Sequence, residues 1–255
     1  MKIALFSDIH ANLPALQAVL ADIDQKNPDL IYCLGDLVGY APYPNEVIQE
    51  IRRRKIPTIA GNYDEGIGLS SDNCGCAYKE PIDKSHGAIS IAYTNSIVQP
   101  AARAFLQELP RHFALDFEFN GEKFRLLLVH GSPRKINEYL FEDRDEKSLL
   151  RIMEQAQADI MAFGHTHKPY QRILGNDDGN TFRHAINIGS VGKPKDGDVR
   201  ACYVMLDINP ETSMSKAESL SVEFVRVPYD VESIASAVEA SPLPNEYADM
   251  LRKAY

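Results

Sequence analysis

Seven side chains able to hold a cation close apolar runs in this sequence. They are Asp8 and His10 in FSDIH, Asp36 in LGDLVGY, Asn62 in AGNYDE, His130 in LVHGSP, and His165 with His167 in FGHTHKP. A single carboxylate–imidazole pair arises easily by accident, and one histidine after a strand is more often a satisfied hydrogen-bonder than a ligand. Five such blocks, each ending a strand-like run, read instead as fragments of one site gathered from many strand ends. Residues i and i+2 of an extended chain point to one side, so Asp8/His10 and His165/His167 are each expected to face a common cation. Asp36 closes LIYCLG, where a lone carboxylate needs a partner, and Asn62 offers a neutral carbonyl oxygen. Mixed carboxylate and imidazole donors suit Mn, Fe, Zn or Ni better than Ca or Mg. His86, His112 and His184 have no acidic or imidazole neighbour in such a block and are assigned to structure.

The elements that must position these residues follow from periodicity. KIALFS, LIYCLG and IPTIAG predict strands; LPALQAVLADIDQ and PNEVIQEIRRR between them predict helices, the second opened by Pro44. A βαβαβ order implies parallel strands whose following loops share one sheet edge, where α/β proteins place their sites. Residues 66–84 lack periodicity and predict a long loop over the site. SHGAISIAYTNSIV and PAARAFLQEL predict two helices. Asn120-Gly121 predicts a hairpin between FALDFEF and EKFRLLLVH. SLLRIMEQAQ is then a helix, DIMAFG, PYQRILG, TFRHAINIG, RACYVMLDI and SVEFVRVPY are strands, and two short helices end the chain. The pattern amounts to mixed α/β with two sheets, in one domain over 1–255 with a motif core at 1–192 and C-terminal strands and helices at 199–255.

In order and content the blocks resemble the calcineurin-like metallophosphoesterase family, whose motifs run DxH, GDxx, GNH[DE], [VL]H and GHxH. The resemblance spans residues 1–192 and implies a four-layer αββα sandwich of two mixed β-sheets flanked by helices. It implies two divalent transition-metal ions, manganese first, with iron, zinc or nickel as alternatives. One would be held by Asp8, His10, Asp36 and His167, the other by Asp36, Asn62, His130 and His165, with Asp36 bridging. Two metals about 3.5–4 Å apart clamp a phosphoryl group for in-line displacement, and a metal-bridging hydroxide attacks it. The implied function is hydrolysis of a small phosphodiester or an activated phosphomonoester. Tyr63, Asp64 and His130 would be catalytic, and Asn62, Tyr40 and Arg134 would contact substrate.

The chain departs from the family at two places. Tyr63 stands where GNH[DE] carries the histidine that protonates the leaving oxygen, and a phenol of pKa about 10 is a weaker acid than imidazolium. The GD block reads GDLVGY, without the phosphate-gripping arginine of GDxVDRG. This lowers the standing of two alternatives, a Ser/Thr protein phosphatase and a dinucleoside polyphosphatase. Arg134 and Lys135 offer charge instead. GSVGKP resembles the NxGSVGxPR stretch that shapes the site edge in this family. The Tyr63 substitution also motivates an alternative of another class, a weakly hydrolytic or non-hydrolytic regulator that binds phosphate or nucleotide.

Bulk composition agrees with a soluble globular chain, 255 residues with 44% hydrophobic and 25% charged. A net charge of −9 argues against a general nucleic-acid or anionic-membrane binder. MKIALFSDIH shows no secretory signal, no apolar run approaches the roughly 20 residues of a membrane span, and a cytoplasmic location is expected. Cys33 and Cys202 read as core residues, and Cys74 and Cys76 as free thiols on a loop.

Overall fold

Alternation in the first apolar run already demands cover on two sides. Strand β1 (Lys2–Phe6) sends Ile3 and Leu5 to one face and Ala4 and Phe6 to the other, and all four are fully buried. A strand buried on both faces must lie inside a sheet with a layer on each side. The computed structural model describes residues 1–77, 80–175 and 179–255.

After β1 comes α1 (Leu13–Lys26), capped by Asn12, whose side-chain oxygen accepts from the Ala15 amide at 3.1 Å. Strand β2 (Leu30–Cys33) and helix α2 (Pro44–Arg54) follow as the periodicity requires. The third strand expected over IPTIAG is reduced to one parallel bridge, Cys33 to Thr58, and the chain turns into α3 (Asn62–Gly68). Asp64 accounts for that turn. Its carboxylate accepts from Gly61 N at 3.0 Å and Leu37 N at 2.9 Å, capping α3 and tying it to the loop after β2. Helices α4 (Pro81–Ile97) and α5 (Pro100–Glu108) come next, so the loop expected over 66–84 is shortened at both ends; its residues 78–79 lie outside the described residues.

The hairpin falls where Asn120-Gly121 placed it, with φ of 53° and 82° at the two residues, as a two-residue hairpin loop with both φ positive demands. It joins β3 (His112–Phe119) to β4 (Glu122–Val129). The chain continues through α6 (Glu146–Gln155), β5 (Ile160–Phe163), β6 (Tyr170–Gly175), β7 (Phe182–Asn187), β8 (Ala201–Asp207) and β9 (Ser221–Val227). It closes with α7 (Val231–Glu239) and α8 (Glu246–Lys253).

The strands form two mixed sheets, β2-β1-β8-β9 and β3-β4-β5-β7-β6. The neighbours of β1 are thus β2, parallel, and β8, antiparallel, rather than a run of parallel strands. Ile3, Leu5, Val204 and Leu206 of one sheet meet Leu126, Leu128, Ile160 and Ala162 of the other in a core between the sheets. A second core joins Ala4, Phe6 and Tyr203 to α1, α2, α7 and α8. A third joins Leu127, Met161 and Phe163 to Leu149, Ile152 and Met153 of α6. The layers are helix, sheet, sheet, helix, an αββα sandwich.

Candidate metal centre

Six of the seven residues follow strands, Asn62 opens α3, and all converge at one edge of the sandwich. Extended backbone does not aim them: Asp8, His10, Asp36, His165 and His167 have φ of 55°, 49°, 53°, 66° and 61°. Left-handed turns just beyond β1 and β5 replace the expected strand alternation: Asp8 and His10 do share a ligand group, whereas His165 and His167, expected to face a common cation, fall in different groups. Non-glycine residues occupy the left-handed region at a cost of order 1–3 kcal/mol each, and they concentrate at functional sites. Close approach of the loops holds them there. A Cβ on Gly192 would overlap the Ile9 carbonyl oxygen between Asp8 and His10, and one on Gly61 would overlap Asp36.

Two groups of potential ligand atoms result, each lying within 4.8 Å: Asp8, His10 and His167, and Asp36, His130 and His165. They divide along the line the resemblance implied. Asp36 Oδ2 adjoins both, 3.6 Å from His10 Nε2 and 3.4 Å from His130 Nε2. Asn62 joins the second group, its Oδ1 3.1 Å from His130 Nε2.

The hydrogen bonds around these atoms point to a missing positive charge. Nδ1 of His10 bonds the Val38 carbonyl at 3.0 Å, Nδ1 of His130 the Leu34 carbonyl at 2.8 Å, and Nδ1 of His167 the Lys193 carbonyl at 2.6 Å. A carbonyl only accepts, so each Nδ1 carries the hydrogen, and in His10 and His167, which burial keeps neutral, the Nε2 lone pair turns inward. The Nε2 atoms of His10 and His167 then face each other at 3.2 Å, acceptor to acceptor. Asn62 donates its amide to the Cys74 carbonyl at 2.8 Å, so its oxygen likewise faces His130 Nε2. Asp8 Oδ1 and His165 Nε2 are buried with no hydrogen-bond partner. Acceptors so arranged repel unless cations stand between them, and the donor set fits divalent transition metals.

Titration follows the same pattern. Burial pushes the imidazoles of His10 and His167 below their ordinary value, and burial together with His130 takes His165 down to about 4. Neutral imidazole is the form that binds metal. His130 differs: burial opposes its charge, yet Asp36 and Asp8 outweigh burial and lift it to about 10. Burial would raise Asp36, but His130 and His10 hold it well below the carboxylate range. Burial and the Asp36 charge push Asp64 up to about 7.

A cavity of about 390 Å³ lies beside the cluster, although none of the seven ligands lines it. Two of its lining rings touch ligands, Tyr40 at 4.8 Å from His10 and Tyr139 at 4.1 Å from His165. Lys193 and Lys195, from the GSVGKPK stretch, supply its positive charge. Arg134, expected to contact substrate, is paired with Glu138 and lines a second cavity, together with Arg111, Lys135 and the ligand His130. Tyr63 does not line the cation-site cavity; its ring lies 5.5 Å from His10 and 4.8 Å from Tyr40 in the helix-side core. Asp64 caps α3 behind the ligands. Sequence reasoning gave Lys193, Lys195, Tyr139 and Tyr247 no role of their own. Only the GSVGKP likeness hinted at the two lysines.

Sheets stacked face to face, with carboxylate, amide and imidazole ligands at one shared edge, define a metallophosphoesterase architecture. The sequence profile described as calcineurin-like phosphoesterase superfamily domain matches residues 1–211, and the chain belongs to that family. It is 32% identical to the uncharacterized protein MJ0912 of Methanocaldococcus jannaschii, over 98% of this chain and 96% of that protein. It is 27% identical to phosphodiesterase YfcE of Escherichia coli, over 81% of this chain and 88% of the enzyme. A metallophosphoesterase structure from Sphaerobacter thermophilus superposes with a TM-score of 0.73 at 27% identity, covering 100% of this chain and 99% of that one. The hypothetical protein PH1004 of Pyrococcus horikoshii shares the fold, with a TM-score of 0.78 at 24% identity and coverage of 100% and 98%.

Proposed function

We propose that this chain is a metal-dependent phosphoesterase acting on a small phosphodiester or an activated phosphomonoester. The observation that carries the reading is the inward-facing set of buried acceptors, above all His10 Nε2 against His167 Nε2 at 3.2 Å. Two divalent ions, manganese first, would supply Lewis-acid stabilisation of phosphoryl charge and a water acidified toward neutral pH. The likeness to phosphodiesterase YfcE supports the same chemistry.

The chain's own residues supply the rest. Asp36 ties the two ligand groups together, and carbonyl-anchored Nδ1 atoms fix the imidazole orientations so that no reorganisation is needed during reaction. Lys193 and Lys195 offer charge to the substrate anion from the cavity wall. Tyr40 occupies the GDLVGY position where protein phosphatases carry their arginine, which favours a small substrate. With Tyr63 outside the cavity and no histidine in the GNYD block, esters with good leaving groups are favoured.

The test is hydrolysis of bis(p-nitrophenyl) phosphate and p-nitrophenyl phosphate by folded protein supplied with Mn, Ni, Zn or Fe. Turnover that a chelator abolishes and added metal restores is the expected result. No turnover with any of these metals overturns the reading. Tight nucleotide binding without turnover would then assign the chain as a regulator.

A further inference from the structure

We propose that the cavity beside the cation cluster, whose Tyr40 and Tyr139 touch His10 and His165, holds a planar aromatic group of the substrate, so that the ester is of nucleotide or aryl type rather than aliphatic. This deepens the phosphoesterase reading and rests on it. Five tyrosine and phenylalanine rings line the cavity. Tyr139 and Phe141 stack at 5.6 Å with planes 13° apart, leaving Phe141 45% exposed at the mouth. Tyr40 and Tyr247 pack edge to face at 5.1 Å, and Tyr255, 53% exposed, also lines the cavity. A large aromatic left in water beside a cavity gains by stacking on a flat ligand, and such contacts supply roughly 1–3 kcal/mol per nucleobase.

Charge within the cavity points the same way. Lys193 is only 5% exposed, and its ammonium lies over the Tyr40 ring at 4.9 Å and the Tyr247 ring at 5.8 Å. Its hydrogen-bond partner is the Met250 sulfur at 3.2 Å. Among the described residues neither Lys193 nor Lys195 has an ion-pair partner, although Asp83 also lines the cavity. Burial and the neighbouring Lys195 disfavour the charge on Lys193, and an anion bound in the cavity would restore it. Tyr247, Met250 and Tyr255 come from α8 and the chain end, beyond the 1–211 match to the family domain. The volume of about 390 Å³ suits a nucleotide-sized body and is too small for a folded peptide.

Binding to manganese-loaded protein tests this without turnover, using ligands that resist hydrolysis. Calorimetry compares the 5′-phosphonate isosteres of adenosine 5′-monophosphate and ribose 5-phosphate, which differ only by the base. Phenylphosphonate is set against methylphosphonate in the same way. The adenosine compound is expected to bind about tenfold or more tighter than the ribose compound, and the combined Phe141→Ala and Tyr255→Ala variant should bring that ratio close to one. If phenylphosphonate gains as much over methylphosphonate, the cavity takes any aryl ester; if only the adenosine compound gains, it takes a nucleobase. Either result supports the inference. Equal affinities within both pairs, or a ratio that survives in the double variant, overturns it. Absence of hydrolysis defeats the phosphoesterase reading alone and leaves this comparison intact.

Discussion

Asp36 touches both candidate ligand groups, and its two oxygens divide the work. Oδ1 accepts from the Tyr63 amide at 2.9 Å, while Oδ2 faces His10 and His130. Asp36→Asn keeps the shape and removes the charge that both cations would share. Metal content per chain should fall from two to one or fewer by elemental analysis, and kcat/KM should drop at least about 100-fold, beyond the 10–100-fold typical of supporting residues. A variant that still holds two metals would show that Asp36 does not bridge. Tyr63 illustrates what residue types alone do not disclose. The GNYD block reveals a phenol in place of an imidazole, but which way the ring turns depends on Gly39, where a Cβ would overlap the Tyr63 ring. Because that ring packs against His10 and Tyr40 outside the cavity, Tyr63→Phe should alter hydrolysis of p-nitrophenyl and phenyl esters by the same small factor. Selective slowing of the phenyl ester would restore the proton-donor role to Tyr63.

At the scale of elements, the strand ends were legible because each ligand is a polar residue closing an apolar run, a local contrast that survives in one dimension. The second-half strands and the Asn120-Gly121 hairpin were legible for the same reason. Helix α3 was not, since its start depends on Asp64 reaching the Leu37 amide across the loop after β2, a contact distant in sequence. Neither was the ring-lined cavity, whose aromatic residues come from the loop after β2, the loop after β4 and the C-terminal segment. His184, assigned to structure from the sequence, lies in β7 and belongs to neither ligand group. It is fully buried, and burial takes its imidazole from 6.5 down to about 4. The folded state therefore favours the neutral ring. Its contribution is fully present above pH 6.5 and is lost as pH falls through 4, and it amounts to roughly 3 kcal/mol. His184→Leu, compared with the parent by urea unfolding without metal, should differ little at pH 7.5 and gain about 2 kcal/mol on the parent by pH 4.5. The buried ligand histidines titrate in both proteins and cancel. A difference that does not change with pH would show that His184 is not held neutral.

For the molecule as a whole, the site is also a fastening. Asp8, His10 and Asp36 follow strands of the β2-β1-β8-β9 sheet, whereas His130, His165 and His167 follow strands of the other. Each ligand group therefore draws on both sheets, Asp8 and His10 with His167, and Asp36 with His130 and His165. Cations bound there would bridge the two layers where like-signed acceptors now face one another. A ligand at 100 times its Kd stabilises the folded state by about 2.7 kcal/mol, so two such sites give about 5 kcal/mol. In a domain of this size each kcal/mol moves Tm by roughly 2–4 °C, which places the expected rise on the order of 10 °C or more on manganese loading. Calorimetric scans with chelator and with graded manganese measure it directly. Asp36→Asn should lose most of the rise, because it weakens both groups at once. His184→Leu, remote from either group, should keep the full rise. A Tm indifferent to every divalent metal would mean that the facing acceptors are not cation sites, and the phosphoesterase reading would fall with them.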